Sequence, residues 1–350
     1  MWVPRQTRVS SRARCWRERL LPEPGEVLVG PGDFVQATDV VARLALPTGL
    51  HAVDVGQELG VEDIVPFLAK QVGETVEAGE PLAVRKGRLG LSQRVCRAPV
   101  AGRLWQVVGS RLLLEGEPQK VEVTAYLRGR VVQTVGDRGV VVEGKAAWVE
   151  GAWGTGGEGH GVLKVLTGRE EPLAKGAVDI SCRGTVAVCG LLQDEEPLRQ
   201  LAQVQARGLV VGSLPTALVP VVEGMGLPLV ATEGLGRVPM VAEVHDLLRE
   251  HEGEEVSLLG CKVGLHHRTR PEVVIPVSES GEPVREPRAE IAEGDRVRLL
   301  RDPFRGALGH VTTLPRHPEP TEVGPRLGAW VQLDDGESVF VPWNNLEVIG

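Results

Sequence analysis

The sequence predicts a multidomain α+β protein in which regions of short β-strands flank a smaller region of alternating strands and helices. The chain has 350 residues, which is too long for one domain of ordinary size, about 100 to 200 residues. Glycine (44 residues) and proline (25) are abundant and aromatic residues make up only 3 %, a composition that favours short strands and tight turns. Between residues 177 and 262, buried strands alternate with amphipathic helices, which indicates an α/β unit.

The first region, residues 1–125, is predicted to be a β domain built on a repeated motif. Residues 32–42 read GDFVQATDVVA, and residues 73–83 read GETVEAGEPLA. Both copies place an acidic residue in a turn, then a buried valine and a second acidic step, so we expect one fold built from two similar halves. Between them, near residues 55–70, apolar residues recur at helical spacing and predict a short inserted helix.

The two copies, together with a Pro-x-x-Gly turn at residues 99–102, resemble the hairpins of barrel-sandwich hybrid domains, the fold of biotinyl and lipoyl carriers. In the carriers, a modified lysine lies at the hairpin apex between the halves. Leu89 stands at the corresponding position here, and Lys86 lies off the apex. The resemblance therefore implies an unmodified copy without a prosthetic group, like that of the RnfC electron-transport subunit, which serves as a structural or docking domain.

Residues 126–176 are predicted to form a glycine-rich β extension. Gly154, Gly156 and Gly159 match the dinucleotide-binding pattern G-x-G-x-x-G, which requires a helix after the glycines. Residues 162–166 read instead as a strand, so we interpret the segment as a bulged turn. Glu158 and His160 lie in it and form the best-placed candidate acid–base pair.

Residues 177–262 are predicted to be a small parallel α/β domain. Strands are expected at 185–189, 208–212, 228–232 and 255–259, and helices at 195–207, 215–225 and 239–251, with Pro239 in the first turn of the last helix. In such sheets ligands bind beyond the carboxyl ends of the strands. The candidate ligand-binding residues are Gly212, Ser213, Thr232, Glu233 and Gly234.

A linker is predicted at residues 263–289, followed by a barrel at 290–350. Residues 292–311 read AEGDRVRLLRDPFRGALGHV and resemble the KOW motif, which implies an SH3-like β-barrel. The Asp335–Gly336 pair predicts a hairpin turn within it. KOW domains of transcription elongation factors and ribosomal proteins contact RNA or other proteins. The candidate partner-binding residues are Arg296, Arg298, Arg301, Phe304 and Arg305.

Charge is distributed unevenly along the chain, whose formal net charge is −8. Residues 1–130 carry 18 basic and 15 acidic side chains, residues 131–289 carry 15 and 22, and residues 290–350 carry 6 and 10. An acidic surface repels phosphate backbones, so we expect the barrel to dock on protein rather than RNA.

Other features exclude several classes. No apolar run reaches the roughly 20 residues that span a bilayer, and no apolar core follows the N-terminal arginines, so we expect a cytoplasmic protein without a secretory signal or membrane contact. The five cysteines include no C-x-x-C pair, which suits reduced thiols. Cys261, His266 and His267 are a poor metal set, because adjacent histidines on a strand point in opposite directions.

These observations predict a non-catalytic scaffold or adaptor without cofactor or metal, whose KOW-type barrel docks on a protein or RNA of the transcription or translation machinery. The alternative is a sensor that holds a small anionic metabolite at the strand ends of the α/β domain. An enzyme that uses Glu158 and His160 is a weaker alternative, since no nucleophile elbow, zinc-protease motif or phosphate-binding loop is present.

Overall fold

The computed structural model describes residues 5–7, 9–46, 49–86, 92–261, 270–278, 291–304, 306–321 and 324–349. This part of the chain is mostly β, with several sheets and four α-helices. The coarse prediction of a multidomain α+β protein is therefore confirmed. No helix among the described residues is both long enough and apolar enough to span a bilayer.

Residues 5–124 contain, in order, β1 (Arg5–Thr7), β2 (Val9–Leu20), β3 (Glu26–Val27), β4 (Phe34–Val35), β5 (Val40–Leu46), β6 (Leu50–Val53), α1 (Val55–Leu59), β7 (Thr75–Val76), β8 (Pro81–Lys86), β9 (Gln93–Arg97), β10 (Gly102–Val108), β11 (Arg111–Gly116) and β12 (Gln119–Thr124). Residues 129–276 contain β13 (Gly129–Val135), β14 (Gly139–Glu150), β15 (Trp153–Gly154), β16 (Glu158–Val165), β17 (Thr185–Leu191), α2 (Glu195–Gln203), β18 (Gly208–Leu214), α3 (Val219–Met225), β19 (Leu229–Leu235), α4 (Ala242–Glu250), β20 (Glu255–Leu259) and β21 (Glu272–Pro276). Residues 296–349 contain β22 (Arg296–Leu299), β23 (Leu308–Thr313), β24 (Gly328–Leu333), β25 (Ser338–Pro342) and β26 (Leu346–Ile349).

The two copies of the N-terminal motif lie in two separate hydrophobic cores. In the first copy, Val35 and Val41 pack with residues of β13 and β14. In the second copy, Val76 and Leu82 pack with residues of β10 and β11. The expectation that both copies form halves of one core is thus wrong, because β4 pairs with β13 whereas β7 pairs with β10.

The two hairpins with which the motif copies pair are also similar to each other in sequence. Residues 98–116 read APVAGRLWQVVGSRLLLEG, and residues 125–144 read AYLRGRVVQTVGDRGVVVEG. The hydrogen bonds correspond: the Gly73 amide donates to the Leu104 carbonyl at 2.7 Å, and the Gly32 amide to the Val131 carbonyl at 2.8 Å. The N-terminal region therefore contains two modules, and each module combines one copy of the motif with one hairpin.

One module is inserted into the other. We call residues 50–116 the inner module, and residues 26–46 with 119–144 the outer module. At the junction, β5 and β12 are antiparallel neighbours, with Leu46 opposite Gln119. The insertion predicted near residues 55–70 contains α1 and a 3-10 turn at Val65–Phe67, and it lies inside the inner module.

The central sheet joins the outer module to the α/β region. Its strand order is β15-β19-β18-β17-β16-β20-β21-β14-β13-β4, and β2 also pairs with β14. Strands β16 to β19 are parallel. Strands β17 and β18 are buried along their whole length, as expected of parallel strands covered on both faces. Helices α2 and α3 pack on one face and α4 on the other.

The predicted strands and helices of residues 177–262 are confirmed, with three corrections nearby. The fourth strand, β20, is antiparallel to β16 rather than parallel. Pro239 precedes α4, whose first residue is Ala242. The predicted linker contains β21, which pairs with both β14 and β20, because its run of Val273, Val274 and Ile275 is apolar enough to fill the core.

The glycine-rich segment is followed by a strand, as predicted. Residues 158–165 form β16, the first parallel strand of the central sheet, so Gly154, Gly156 and Gly159 do not open a helix. The context that a dinucleotide-binding loop requires is therefore not present there. Because β13, β14 and β16 all belong to the central sheet, residues 126–176 are an integral part of it rather than an extension.

Strand β2 is fixed to the central sheet by ion pairs as well as by backbone bonds. Arg17 donates to Glu272 of β21, with Nε 2.7 Å from Oε1, and its guanidinium carbon lies 4.8 Å from the Trp148 ring centroid. Arg19 donates to both carboxylate oxygens of Glu158 at 2.7 Å. Glu272 is only 3 % exposed, so Arg17 neutralises a buried charge.

The C-terminal region is a meander of β22, β23, β24 and β25, with β26 returning to pair with β22. The hairpin expected around Asp335 and Gly336 is confirmed by the antiparallel pairing of β24 with β25. Strand β1 pairs in parallel with β26, so the beginning of the chain completes this sheet. The small core lies between its strands and is lined by valines, leucines and Ala329.

Candidate functional site

The predicted ligand site and the predicted partner site face each other. Arg298 of β22 forms an ion pair with Glu233 at the end of β19, and the two side chains are 8 % and 1 % exposed. Arg298 also lies 3.6 Å from Glu347 of β26, measured from Nη1 to Oε2. The C-terminal sheet is thus held against the carboxyl ends of the parallel strands, where the sequence predicted an open site.

A second arginine extends this network. Arg270 lies 3.8 Å from Glu347 and 3.8 Å from Glu150, in both cases from Nη1 to a carboxylate oxygen. Arg270 therefore links Glu347, the second carboxylate near Arg298, to Glu150 of β14. Burial raises the pKa of Glu233, while Arg298 and the hydrogen bond from the Val241 amide oppose that rise.

Arg296 makes a separate bridge at the border of the same interface. Its Nε lies 2.9 Å from Oε1 of Glu243 in α4, and its Nη2 lies 2.7 Å from Oδ2 of Asp334. The hydrogen bond from Arg296 lowers the pKa of Asp334. An open cleft of about 470 Å³ lies beside this bridge, lined by Val9, Glu243, Arg296, His310, Asp334 and Ile349.

The candidate ligand-binding residues are used for packing and for internal hydrogen bonds. Ser213 is fully buried, and its hydroxyl accepts a bond from the Val238 amide at 2.8 Å. Thr232 is 2 % exposed, and its hydroxyl donates to Oε1 of Glu233 at 3.1 Å. A Cβ at Gly212 would lie 2.4 Å from the Gly190 carbonyl oxygen, so close strand packing requires that glycine. Gly234 has φ of 85°, which favours glycine for conformational reasons.

The remaining partner-binding candidates are divided. Arg301 is exposed, whereas Phe304 is half-buried against the core of the C-terminal sheet. Arg305 lies outside the described residues. Of the four predicted arginines, Arg296 and Arg298 therefore face inward to the α/β region.

The candidate acid–base pair is not assembled. Both carboxylate oxygens of Glu158 accept bonds from Arg19. His160 instead has Nδ1 3.2 Å from the Ser257 hydroxyl, and burial lowers the pKa of its ring. Each residue therefore has a hydrogen-bond partner of its own. This geometry does not support the weaker alternative, an enzyme in which Glu158 and His160 share one site.

The remaining candidates are the residues considered for a metal site and for a modified lysine. Cys261 is half-buried, and burial raises the pKa of its thiol to about 11. His266, His267 and Leu89 lie outside the described residues, and Lys86 is exposed at the end of β8. Within the described ranges, no three histidine, cysteine, aspartate or glutamate side chains gather as a metal site would require.

Two accessible features remain near the C-terminal sheet. A cleft of about 610 Å³ lies beside the ends of the parallel strands, lined by Pro215, Thr216, Leu235, Gly236, Arg237, Val238 and Asp302. On the hairpin β24–β25, Trp330 and Phe340 are opposite each other, with ring centroids 5.8 Å apart and planes at 60°. Ala329, Val331 and Leu333 are buried, so the alternation places Trp330 on the outer face.

Comparison of the chain with protein-family models and with curated proteins finds no match.

Proposed function

We propose that this protein is a non-catalytic scaffold or adaptor, whose C-terminal KOW-type, SH3-like barrel docks on a protein of the transcription or translation machinery. Two features support this assignment of the barrel. Residues 292–311 resemble the KOW motif, and the five-stranded meander with a returning last strand agrees with an SH3-like fold. In the same proposal, the inner and outer modules are two unmodified barrel-sandwich hybrids that serve as structural parts.

The observation that carries the proposal is the ion pair between Arg298 and Glu233. Because Arg298 and Arg296 bind carboxylates of the chain itself, two of the four arginines of the basic edge are neutralised internally. An RNA would have to compete with those carboxylates for the arginines. A protein partner would not, and protein docking is therefore favoured over RNA.

The surface that we assign to the protein partner is the outer face of the hairpin β24–β25. The half-buried aromatic pair of Trp330 and Phe340 lies there, and Leu327 next to it is 48 % exposed. Among the residues that the structure describes, β25 is the last strand of its sheet, and this edge is therefore where we expect an extended segment of a partner to pair. Aromatic side chains supply much of the affinity at such interfaces.

The test is affinity purification from native cells with wild-type protein and the variant Trp330→Ala, followed by co-sedimentation with ribosomes and with RNA polymerase. Loss of a central aromatic contact should weaken binding by roughly 30-fold or more. Trp105→Ala is the control, because Trp105 is another tryptophan at the surface, 49 % exposed, and lies on the inner module. Retention of the partner by all three proteins contradicts the assignment of the surface. Loss of the partner after ribonuclease treatment shows RNA docking instead.

A sensor is the second candidate, and the cleft of about 610 Å³ beside the strand ends favours it. Arg237 is exposed and is the one cation among the lining residues, so an anionic metabolite is the ligand expected there. A ligand at 100 times its dissociation constant stabilises the native state by about 2.7 kcal/mol. Thermal shift against a panel of anionic metabolites should reveal it, and Arg237→Ala should abolish the shift. A panel without any shift excludes this candidate for the metabolites tested.

A further inference from the structure

The outer face of the N-terminal sheet carries an exposed row of aromatic and charged side chains. Trp16 of β2 is opposite Glu143 of β14, Glu143 is opposite Arg130 of β13, and Arg130 is opposite Phe34 of β4. Residues directly opposite each other on neighbouring strands point to the same face. Trp16 and Phe34 are 51 % and 50 % exposed. We call this row and its neighbours the outer face.

Each aromatic ring of the outer face lies next to an arginine. The guanidinium carbon of Arg14 is 6.0 Å from the Trp16 ring centroid, and that of Arg128 is 5.9 Å from the Phe34 ring centroid. At these distances the cation and the ring attract each other. The same sandwich of a planar cation and an aromatic ring also accepts a nucleobase, which has a flat π-face of its own.

Along the row and next to it, cations exceed anions. Arg14, Arg128, Arg130 and Lys145 are the cations, and Glu18 and Glu143 are the anions. At the border, Glu254 and Glu255 lie beside Arg128, and Glu254 is bonded to His251 at 2.9 Å. With these two glutamates counted, cations and anions are equal in number, so the positive excess is confined to the row and its immediate neighbours.

The ion pair between Arg14 and Glu143 on the outer face can be broken at a small cost in free energy. Arg14 lies 3.2 Å from Glu143, measured from Nε to Oε1, but the Arg14 side chain is 55 % exposed. Exposed pairs of this kind contribute roughly 0 to 1 kcal/mol and are screened by salt. A phosphate can therefore take the place of the carboxylate. This differs from Arg298, whose partner Glu233 is buried.

We propose that the outer face binds single-stranded nucleic acid, with bases stacked on Trp16 and Phe34 and phosphates held by the surrounding arginines. The two rings are three strand spacings apart, about 14 Å, so one strand of nucleic acid would cross the sheet to reach both. Duplexes hide the π-faces of their bases, and only unstacked single strands offer them to aromatic side chains. This site is independent of the barrel and of the protein partner proposed above.

The test is fluorescence anisotropy of the full-length protein with a labelled oligouridylate of about 12 nucleotides, a length within the range that such surfaces cover. Trp16→Ala and Phe34→Ala should each weaken binding by roughly 5- to 150-fold. Trp105→Ala, with an equally exposed tryptophan on the inner module, should leave the affinity unchanged. Arg14→Gln keeps both rings and should lower the salt dependence, in log–log form, by about one.

Three results would overturn the proposal: no binding at about 50 mM salt, an equal loss of affinity in the Trp105→Ala control, or equally tight binding of duplex RNA. Oligothymidylate distinguishes the source of the strand. Tighter binding of RNA shows that the 2′-hydroxyl is contacted, and equal binding shows that bases and phosphates suffice, so both outcomes support the site. Loss of the barrel's protein partner with retained oligonucleotide binding would separate this site from the adaptor function.

Discussion

Replacement of Arg298 by methionine should destabilise the protein far more than replacement of Glu233 by glutamine. In the native structure, Arg298 forms an ion pair with Glu233, whose side chain is 1 % exposed, and lies 3.6 Å from Glu347. Arg298→Met leaves the buried Glu233 carboxylate without this cation. Glu233→Gln removes a negative charge that burial already disfavours, and the Glu347 carboxylate remains beside Arg298. The two members of one ion pair are therefore predicted to differ, with the larger loss for Arg298→Met.

The magnitude follows from burial. Breaking a buried ion pair by removal of one partner costs about 3 to 5 kcal/mol, because the other charge stays uncompensated. We expect this loss for Arg298→Met, with a melting temperature lower by roughly 6 to 20 °C. The double variant Arg298→Met/Glu233→Gln should recover part of it, with a coupling of about 0.5 to 3 kcal/mol.

The pH dependence has a definite sign. Burial already raises the pKa of Glu233 above the ordinary value of 4.5, and loss of Arg298 raises that pKa further. A carboxyl whose pKa is higher in the folded state opposes folding when it is ionised, so the deficit is full at neutral pH. It declines as the pH falls through the raised pKa toward the ordinary value.

The assay is scanning calorimetry of wild type and the three variants at about pH 7 and about pH 5, where a raised glutamate pKa would separate the curves. Glu233→Gln should lie near wild type at both. Two results would refute this reasoning: an Arg298→Met deficit that is the same at both pH values, or a Glu233→Gln deficit as large as that of Arg298→Met.

Three further predictions concern the modules and one thiol. A Cβ at Gly102 or Gly129 would lie 2.1 or 2.0 Å from a carbonyl oxygen of the facing strand, so either alanine variant should lose about 1 to 3 kcal/mol. Hydrogen exchange should show faster opening of the inner module for the first and of the outer module for the second; uniform opening would contradict separate cores. Because Leu46 is opposite Gln119, replacing residues 47–118 by Asn-Gly should leave the circular dichroism of the remaining sheet native-like, and a collapsed spectrum would argue against insertion. Burial raises the pKa of Cys189 to about 12, so a thiol reagent at neutral pH should modify it only after unfolding, as peptide mass spectrometry of native and urea-treated protein would show.

The N-terminal repeat was visible in the sequence, but the strands with which its two copies pair were not. A repeated motif shows that two segments share a conformation, whereas the partner of each segment is set by contacts far along the chain. Val35 pairs with Gly129, 94 positions later, and Val76 pairs with Gly102. The second repeat, at residues 98–116 and 125–144, was the available signal that each motif copy has a hairpin of its own.

The candidate site shows a second limit of prediction from sequence, which concerns contacts between distant regions of the chain. The pattern of β22 places Val297 and Leu299 in the core of the C-terminal sheet and Arg298 on the opposite side, and sequence reasoning therefore treats Arg298 as free for a partner. Alternation reveals which side of a strand faces its own core. It does not reveal that another domain covers the opposite side, since that depends on docking between regions that are more than 60 residues apart.

The pairing of β2 has a consequence for synthesis. Arg17 must wait for Glu272, 255 residues later, and Arg19 for Glu158, 139 residues later. At elongation rates of about 5 to 20 residues per second, these intervals are about 13 to 50 s and about 7 to 28 s. Until its hydrogen-bonded neighbour β14 has also been synthesised, β2 is an unpaired strand, the kind of segment that is prone to aggregate. Arg12, Arg14, Arg17 and Arg19 make nascent copies of this strand repel one another. Arg17 and Arg19, which later pair with Glu272 and Glu158 of the sheet, thus first protect the growing chain.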